Sequence, residues 1–172
     1  ENRKWQIRKD FKEGKIGSIT IFGYRRNADG ILEIEPTEAE IVKMIFSDYL
    51  SGMGGLKIAK KLNEMGIRTA QGNLWTSPRI KELLSNEKYV GDALFQKTYT
   101  DDNFHRHTNH GEVGTYLVSD HHEPIVSREV FEKANALIRQ RAAEKGVIKG
   151  SDKYQKRYAF SGKIVCGVCG RN

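Results

Sequence analysis

Two cysteines near the end of the 172-residue chain have the spacing of metal ligands. Cys166 and Cys169 form a C-x-x-C-G sequence and are the chain's two cysteines. Thiolates at this spacing chelate Zn²⁺ well, but a tetrahedral structural site needs four ligands. The same spacing also serves a redox pair, although the βαβ context of such pairs is missing here. The pair therefore predicts half of a zinc ribbon and excludes a disulfide framework.

Five histidines are the other candidate metal ligands. They are His105, His107, His110, His121 and His122. The H-x-H spacing of the first two could chelate a metal, but no carboxylate stands at a motif spacing such as H-E-x-x-H. We interpret all five as solvated loop side chains or as phosphate contacts.

Residues for covalent or acid–base catalysis do not form a motif. The sequence contains no paired carboxylates, no Gly-x-Ser-x-Gly and no phosphate-binding loop. Ser18, Ser47 and Ser77 fit structural positions, namely a strand or loop, a helix interior and a helix N-cap. The chain is predicted to bind its partner and not to cut it.

Polar and basic side chains between Gly66 and Gly91 have the types needed to bind DNA. Hydroxyl and basic groups hold phosphates, and the first residues of a recognition helix reach base edges. Solvated surface groups are the alternative interpretation for each of them. Trp75 is instead predicted to be core, packed on Leu84 and Tyr89. The candidate DNA contacts, including two arginines beside an earlier turn, are Arg25, Arg26, Arg68, Thr69, Gln71, Asn73, Thr76, Ser77, Arg79 and Lys81.

Two short helices must position these side chains. A helical pattern from Leu56 to Met65 is closed by Gly66, a residue suited to the left-handed cap conformation. The second helix is predicted to begin with Ser77 as its N-cap and Pro78 at its first helical position. This helix turns its apolar residues to one face, so its basic residues point to water or to a partner.

The segments before this pair predict a hairpin and a longer helix. Residues 19–24 and 31–34 are apolar runs on either side of a turn that ends in Asp29-Gly30. Thr37 and Glu40 have the spacing of a capping box that starts a helix with a broad apolar stripe.

The segments after the pair predict a second hairpin and a final helix. Residues 93–95 and 115–118 read as strands that flank a polar, mobile tip at 99–112. Ser127 is the predicted cap of a helix whose apolar residues recur at helical spacing.

The charge of the chain favours a polyanionic partner. The formal net charge is +7 and the isoelectric point is about 9.4, which promotes steering and counterion release on nucleic acid. No apolar run approaches the ~20 residues of a membrane span, and the start lacks the core of a signal peptide. We therefore expect a cytoplasmic protein with no membrane partner.

The ordered series of motifs resembles the "recombinase" DNA-binding domain of large serine recombinases, the serine integrases and transposon resolvases of that group. The resemblance covers Gly23-Tyr24, the L-N-x-x-G-I of residues 62–67, the R-T of residues 68–69, Trp75 and the closing Tyr89-Val90-Gly91. The family often has Pro before Gly-Tyr, where this chain has Phe22. The sequence F-S-G-K-I-V-C-G-V-C-G is similar to the opening of the family's zinc ribbon.

This resemblance implies a fold and a domain order. The expected fold is α+β, a mainly helical, helix-turn-helix-like DNA-binding domain with small antiparallel hairpins. Residues 1–18 would be a basic linker from an absent catalytic domain, 19–145 the recombinase domain, and 146–172 a linker and the truncated start of the ribbon. The second cysteine pair would lie beyond Asn172, so this fragment should hold no cofactor, whereas the full-length protein should bind zinc.

It also implies a role. The domain would recognise half of a double-stranded attachment site and position the catalytic domain for strand exchange. The fragment itself would be a monomer without enzymatic activity, and the full-length recombinase a dimer or tetramer on DNA. Two alternatives stay open at this point: a helix-turn-helix transcriptional regulator, and a non-DNA module with an incidental basic face.

Overall fold

A computed structural model describes residues 20–27, 31–101 and 103–144, together with the isolated Lys9. The chain divides into two compact units, Glu1–Asn135 and Ala136–Asn172. The elements described below lie in the first unit, except that the last helix continues past residue 135 into the second. The predicted basic linker at 1–18 and the cysteine pair lie outside the described residues.

The described chain alternates helices with short antiparallel strand pairs, which confirms the α+β class. The helices are α1 (Pro36–Leu50), α2 (Gly55–Glu64), α3 (Ser77–Leu84), a 3₁₀ helix (Glu87–Val90) and α4 (Arg128–Glu144). The strands are β1 (Tyr24–Arg26), β2 (Leu32–Ile34), β3 (Ala93–Phe95), β4 (Thr98–Thr100), β5 (Arg106–Thr108) and β6 (Tyr116–Val118). No described helix has the length and apolarity needed to cross a membrane.

Helices α1, α2 and α3 enclose the core of the first unit. Their apolar stripes face one another and lose nearly all contact with water, which is the dominant stabilising term in folding. The largest of these fully buried side chains are Val42, Ile45, Phe46, Ile58, Leu62, Ile80 and Leu84. Because α3 has only eight residues, it depends on this packing for its stability.

The start of α1 differs from the predicted capping box. The helix begins at Pro36, whose fixed φ suits the first helical turn, and Glu35 is the N-cap without a side-chain hydrogen bond. Thr37 therefore lies inside the first turn and cannot cap it. The carboxylate of Glu38 instead accepts a hydrogen bond of 2.7 Å from the backbone N–H of Gly23, which ties α1 to the start of β1.

Both predicted hairpins are present. Strand β1 pairs with β2, with Arg25 opposite Glu33, and β3 pairs with β6, with Leu94 opposite Leu117. The intervening polar segment is not a simple tip, because β4 and β5 form a further hairpin within it. The carboxylate of Asp101 organises that hairpin by accepting hydrogen bonds from two backbone N–H groups and from His107.

The 3₁₀ helix joins the core to the segment that leads into α4. Its Tyr89 donates a hydrogen bond to the carbonyl of Phe22, and its backbone carbonyl accepts bonds from Ile125 and Val126. Helix α4 then begins after Ser127, whose hydroxyl accepts a bond from the N–H of Val130. The predicted cap of this last helix is confirmed.

Candidate nucleic-acid interface

The exit of α2 follows the expected glycine cap. Gly66 has a φ of +77°, and its N–H donates to the carbonyl of Asn63 while the N–H of Ile67 donates to that of Leu62. These two bonds form the Schellman arrangement, which satisfies carbonyls that the helix end leaves unpaired. Arg68 adds bonds from its guanidinium to the carbonyls of Asn63 and Ile67, so this predicted DNA contact partly caps α2.

The segment between α2 and α3, residues 65–76, is called the reading loop here. At its outer end the chain reverses, because Gly72 donates to the carbonyl of Thr69 at 2.7 Å and Thr69 donates to that of Asn73 at 2.9 Å. The Thr69 hydroxyl also accepts from the N–H of Asn73. This turn presents Gln71 and Asn73 to solvent.

Trp75 lies at the inner end of the reading loop and is buried, as predicted. The residue is 5% exposed, and its ring meets the ring of Phe22 edge to face, with centroids 5.1 Å apart. Its backbone N–H and carbonyl are both hydrogen-bonded by the side chain of Asn63. Sequence analysis did not select Asn63 as a site residue, although an amide side chain two residues before the loop was a usable signal.

Helix α3 turns its basic residues outward. Ile80 and Leu84 are fully buried, whereas Arg79 and Lys81 are exposed. The helix begins one residue earlier than expected, with Thr76 as the N-cap and no side-chain cap bond. Ser77, predicted as the cap, is the first helical residue because Thr76 is the last residue in the extended conformation.

The N-termini of α2 and α3 lie side by side. A β-carbon placed on Gly55 would come within 3.1 Å of the hydroxyl oxygen of Ser77. Neither N-cap, Gly54 nor Thr76, makes a side-chain bond to its helix. The first N–H groups of a helix have no partner within the helix, so two helix ends with positive dipoles meet here, and this arrangement favours an anion.

A cleft of about 440 Å³ brings together three of the predicted contacts, Thr69, Gln71 and Arg79. Trp75 and Tyr89 contribute its aromatic walls. Lys97, which sequence reasoning did not select, also lines this cleft. The candidate site thus draws on the reading loop, on α3 and on the residue before β4.

The position of Lys97 is set by a half-buried carboxylate, that of Glu87. Glu87 accepts hydrogen bonds from the ammonium groups of Lys97 at 2.6 Å and Lys88 at 3.0 Å, and from the N–H of Leu94. Burial would raise the pKa of Glu87, but the hydrogen bonds and charges of the two lysines outweigh it and hold the pKa below its usual value. Glu87 therefore stays ionised and holds both ammonium groups.

Arg25 and Arg26 lie on a different element, strand β1. Arg25 is exposed and pairs with Glu35 at 2.6 Å, an ion pair that contributes little to stability at such a surface. Neither arginine is among the residues that line the cleft. The described structure therefore gathers the other predicted contacts around the reading loop and α3, and leaves these two on the first hairpin.

The histidines do not share one environment. His105, His107 and His110 are exposed, but His122 is 8% exposed, so its interpretation as a solvated side chain was wrong. Its Nε2 lies 2.7 Å from the carbonyl of Lys88, which makes that nitrogen the donor. Burial lowers the pKa of His122 and favours the neutral ring. Tertiary packing of the segment after β6 decides this burial.

No group of three or more potential metal ligands occurs among the described residues. The His107 ring is hydrogen-bonded to Asp101 at 2.8 Å in the β4–β5 hairpin, and the His105 ring lies 3.7 Å from the same carboxylate. Cys166 and Cys169 lie outside the described part of the chain.

Comparison with known proteins gives a consistent result. A family model described as Recombinase matches residues 36–141. The chain superposes on the crystal structure of an LSR-DNA complex with a TM-score of 0.58 and 20% identity, over 99% of this chain and 48% of that one. It is also similar to a structure concerned with the Listeria innocua prophage attP site, with a TM-score of 0.55 and 20% identity, over 98% of this chain and 62% of that one. The chain thus spans about half to three-fifths of the length of these structures and shares their fold.

Proposed function

Because the chain belongs to the Recombinase family, we propose that it is the duplex-DNA-binding domain of a site-specific serine recombinase. It recognises half of an attachment site and positions a catalytic domain for strand exchange. The proposal places DNA at the reading loop and the start of α3. Location in the cytoplasm is part of the same proposal.

One observation carries this proposal: the N-termini of α2 and α3 lie side by side, and the exposed Arg79 stands close to that end of α3. Partial positive charge at the two helix ends attracts a phosphate of the DNA backbone. Arg79 stands in the first turn of α3, where side chains of a recognition helix reach base edges. Gln71 and Asn73 are exposed amides on the adjoining loop, a side-chain type that pairs with adenine in the major groove.

The likeness to a helix-turn-helix is loose. Residues 65–76 separate α2 from α3, whereas the motif uses a turn of about 3–4 residues. The longer connection adds a contact surface of its own. Nothing in the described structure favours the transcriptional regulator as an alternative.

The remaining site residues receive roles within this proposal. Arg68, Thr69, Thr76, Ser77 and Lys81 would bind phosphates near the loop and helix, and Arg25 and Arg26 would add contacts from the first hairpin. Each phosphate that a basic side chain neutralises releases counterions and strengthens binding at low salt. Lys97 joins the set because it lines the same cleft.

The longer protein would supply the chemistry. We propose that this chain does not cut DNA and that a separate catalytic domain carries the nucleophilic serine. Cys166 and Cys169 would be half of a structural zinc site, since two thiolates are two of the four ligands that zinc requires. They do not complete a site alone, and no step of DNA recognition is assigned to zinc here.

A selection experiment tests the proposal. The full chain is mixed with a randomised duplex library at low salt, the retained DNA is sequenced, and the enriched duplex is titrated at increasing salt. We expect an enriched sequence and a log-linear loss of affinity with salt. Failure to retain any duplex DNA at low salt would overturn the proposal, and retention without enrichment would reduce it to non-specific binding.

A further inference from the structure

Asn63, near the end of α2, holds both ends of the reading loop. Its side-chain nitrogen donates to the carbonyl of Trp75 at 2.9 Å, and its side-chain oxygen accepts from the N–H of Trp75 at 2.9 Å. Its backbone carbonyl accepts from the N–H of Gly66 at 3.1 Å and from the guanidinium of Arg68 at 3.4 Å. One residue therefore fastens the first and the last part of the loop.

The two side-chain bonds require an amide. The backbone of Trp75 offers a donor and an acceptor, and only a side chain that carries both groups can match them. Aspartate would keep the acceptor but would place a carboxylate oxygen against the carbonyl of Trp75. Alanine would leave both backbone groups of this buried residue without their partner, which costs more than a hydrogen bond contributes when made.

The contact also sets the position of α3. Trp75 directly precedes Thr76, the N-cap of α3. Because Asn63 holds the Trp75 backbone, it also sets where α3 begins relative to α2. The close approach of Ser77 to Gly55 depends on this position. The reading loop and the first turn of α3 move together if this contact is lost.

We propose that Asn63 is a positioning residue for sequence-specific DNA recognition. It acts through Trp75, because its side-chain oxygen and nitrogen are both hydrogen-bonded to the Trp75 backbone. The inference rests on the proposed function. Contacts to base edges depend on geometry, whereas attraction to phosphates tolerates displacement. Loss of the contact should therefore reduce specificity more than general affinity for DNA.

The test compares Asn63→Ala with a matched control, Asn135→Ala. Asn135 is also a half-buried helical asparagine, and its side chain donates to the carbonyls of Leu84, at the far end of α3, and Phe131, neither of which belongs to the reading loop. Each variant of the full chain is titrated with the selected duplex and with a scrambled duplex, well below its Tm. We expect Asn63→Ala to lower the ratio of the two affinities about tenfold or more, from the ~1–3 kcal/mol of one bidentate base contact. The affinity for scrambled DNA and the salt slope should not change.

Other outcomes decide against the inference. If Asn63→Ala keeps the wild-type specificity ratio, or weakens both duplexes equally, Asn63 has only a structural role. The same conclusion follows if Asn135→Ala lowers the ratio as much. If the wild-type chain itself shows no DNA binding, that result overturns the proposed function, which is distinct from the role of Asn63.

A second variant separates the loss of the Asn63–Trp75 contact from a general loss of folding. Asn63→Asp keeps the bond to the N–H of Trp75, so it should fold and show an intermediate loss of specificity. Amide hydrogen exchange provides a readout without DNA. The N–H of Trp75 should exchange faster in Asn63→Ala, and those of Gly72 and Asn73 in both variants, while those of α1 stay protected. Unchanged exchange in the loop would overturn the inference.

Discussion

The carboxylate of Asp92 and the guanidinium of Arg128 meet through two parallel hydrogen bonds of 2.9 and 3.0 Å. Asp92 directly precedes strand β3, and Arg128 is the first residue of α4. Asp92 is 5% exposed, and the N–H of Asp120 donates a further bond to it. The pair thus fastens the start of the last helix to the sheet beside the core.

Replacing Arg128 should destabilise the fold. Arg128→Ala leaves the buried Asp92 carboxylate without its bidentate partner. A buried charge without its partner is unfavourable. We expect the Tm to fall by several degrees at pH 7. Arg139→Ala removes an exposed arginine of the same helix and should change the Tm little; equal effects of the two substitutions would contradict the assigned role.

The same ion pair predicts that the stability of the fold decreases at acidic pH. The hydrogen bonds from Arg128 hold the pKa of Asp92 below its usual value of 3.8, although burial opposes them. A carboxyl group with a lowered pKa in the folded state stabilises the fold above its unfolded pKa, and this contribution is lost as the pH falls through the folded value. Thermal unfolding between pH 5 and about pH 2 should therefore show a smaller loss of stability in Arg128→Ala than in wild type.

His122 predicts a second pH dependence, at higher pH. Burial lowers its pKa, so the unfolded chain binds a proton more readily than the folded chain. The free energy of unfolding should then increase as the pH rises through the lower pKa toward the unfolded value near 6.5. His122→Gln can still donate to the carbonyl of Lys88 but does not titrate, so its urea unfolding should show a smaller change over this range. His110→Gln, an exposed control, should behave like wild type.

Two glycines in the left-handed conformation should respond differently to alanine. A β-carbon on Gly91, at a φ of +86°, would lie 2.6 Å from the carbonyl oxygen of His122, whereas one on Gly72, at +76°, meets no atom within 4 Å. Gly72→Ala should cost about 1–2 kcal/mol for the backbone conformation alone. Gly91→Ala should cost about 3 kcal/mol or more, because the clash with backbone adds to that strain. Chemical unfolding that gives equal values would contradict the close approach at Gly91.

Arg79 is expected to contribute most clearly to DNA binding. Arg79→Ala should weaken binding to the selected duplex several-fold to about a hundredfold, based on ~1–3 kcal/mol per base contact. Lys43→Ala removes a cation from α1, outside the cleft, and serves as the control. If Arg79 binds a phosphate instead of a base, its loss should weaken all sequences alike and reduce the salt slope by about one. Binding unaffected by Arg79→Ala would exclude α3 as the reading helix.

The local features of the fold were predictable from the sequence. Gly66 closes α2 as expected, and Ser127 caps α4, because each of these positions depends on the backbone and side chains of its immediate neighbours. The spacing of apolar residues likewise placed α1, α2 and α3, since a helix must turn its apolar stripe toward the core. The capping box at Thr37 was wrong because the neighbouring Pro36 competes for the same turn and starts the helix first.

Long-range contacts were not predictable in the same way. Asn63 meets Trp75 across the reading loop, and Glu87 draws Lys97 to the cleft. The burial of His122 depends on the segment after β6 folding back onto the 3₁₀ helix. Local sequence specifies none of these partners, because side chains of the same type are solvated when no other element covers them.

The sequence by itself therefore determined the four α-helices, the two outer hairpins, their order and the motifs of the Recombinase family, but not the β4–β5 hairpin or the 3₁₀ helix. It also named the loop and helix to which DNA binding is now assigned, because residue type and helical spacing are local properties. The tertiary structure alone decided which of those side chains share one surface: it brought Thr69, Gln71 and Arg79 to one cleft and left Arg25 on another hairpin. The physical reason is that packing of the buried faces sets the distances between elements, and those distances are absent from the order of residues along the chain.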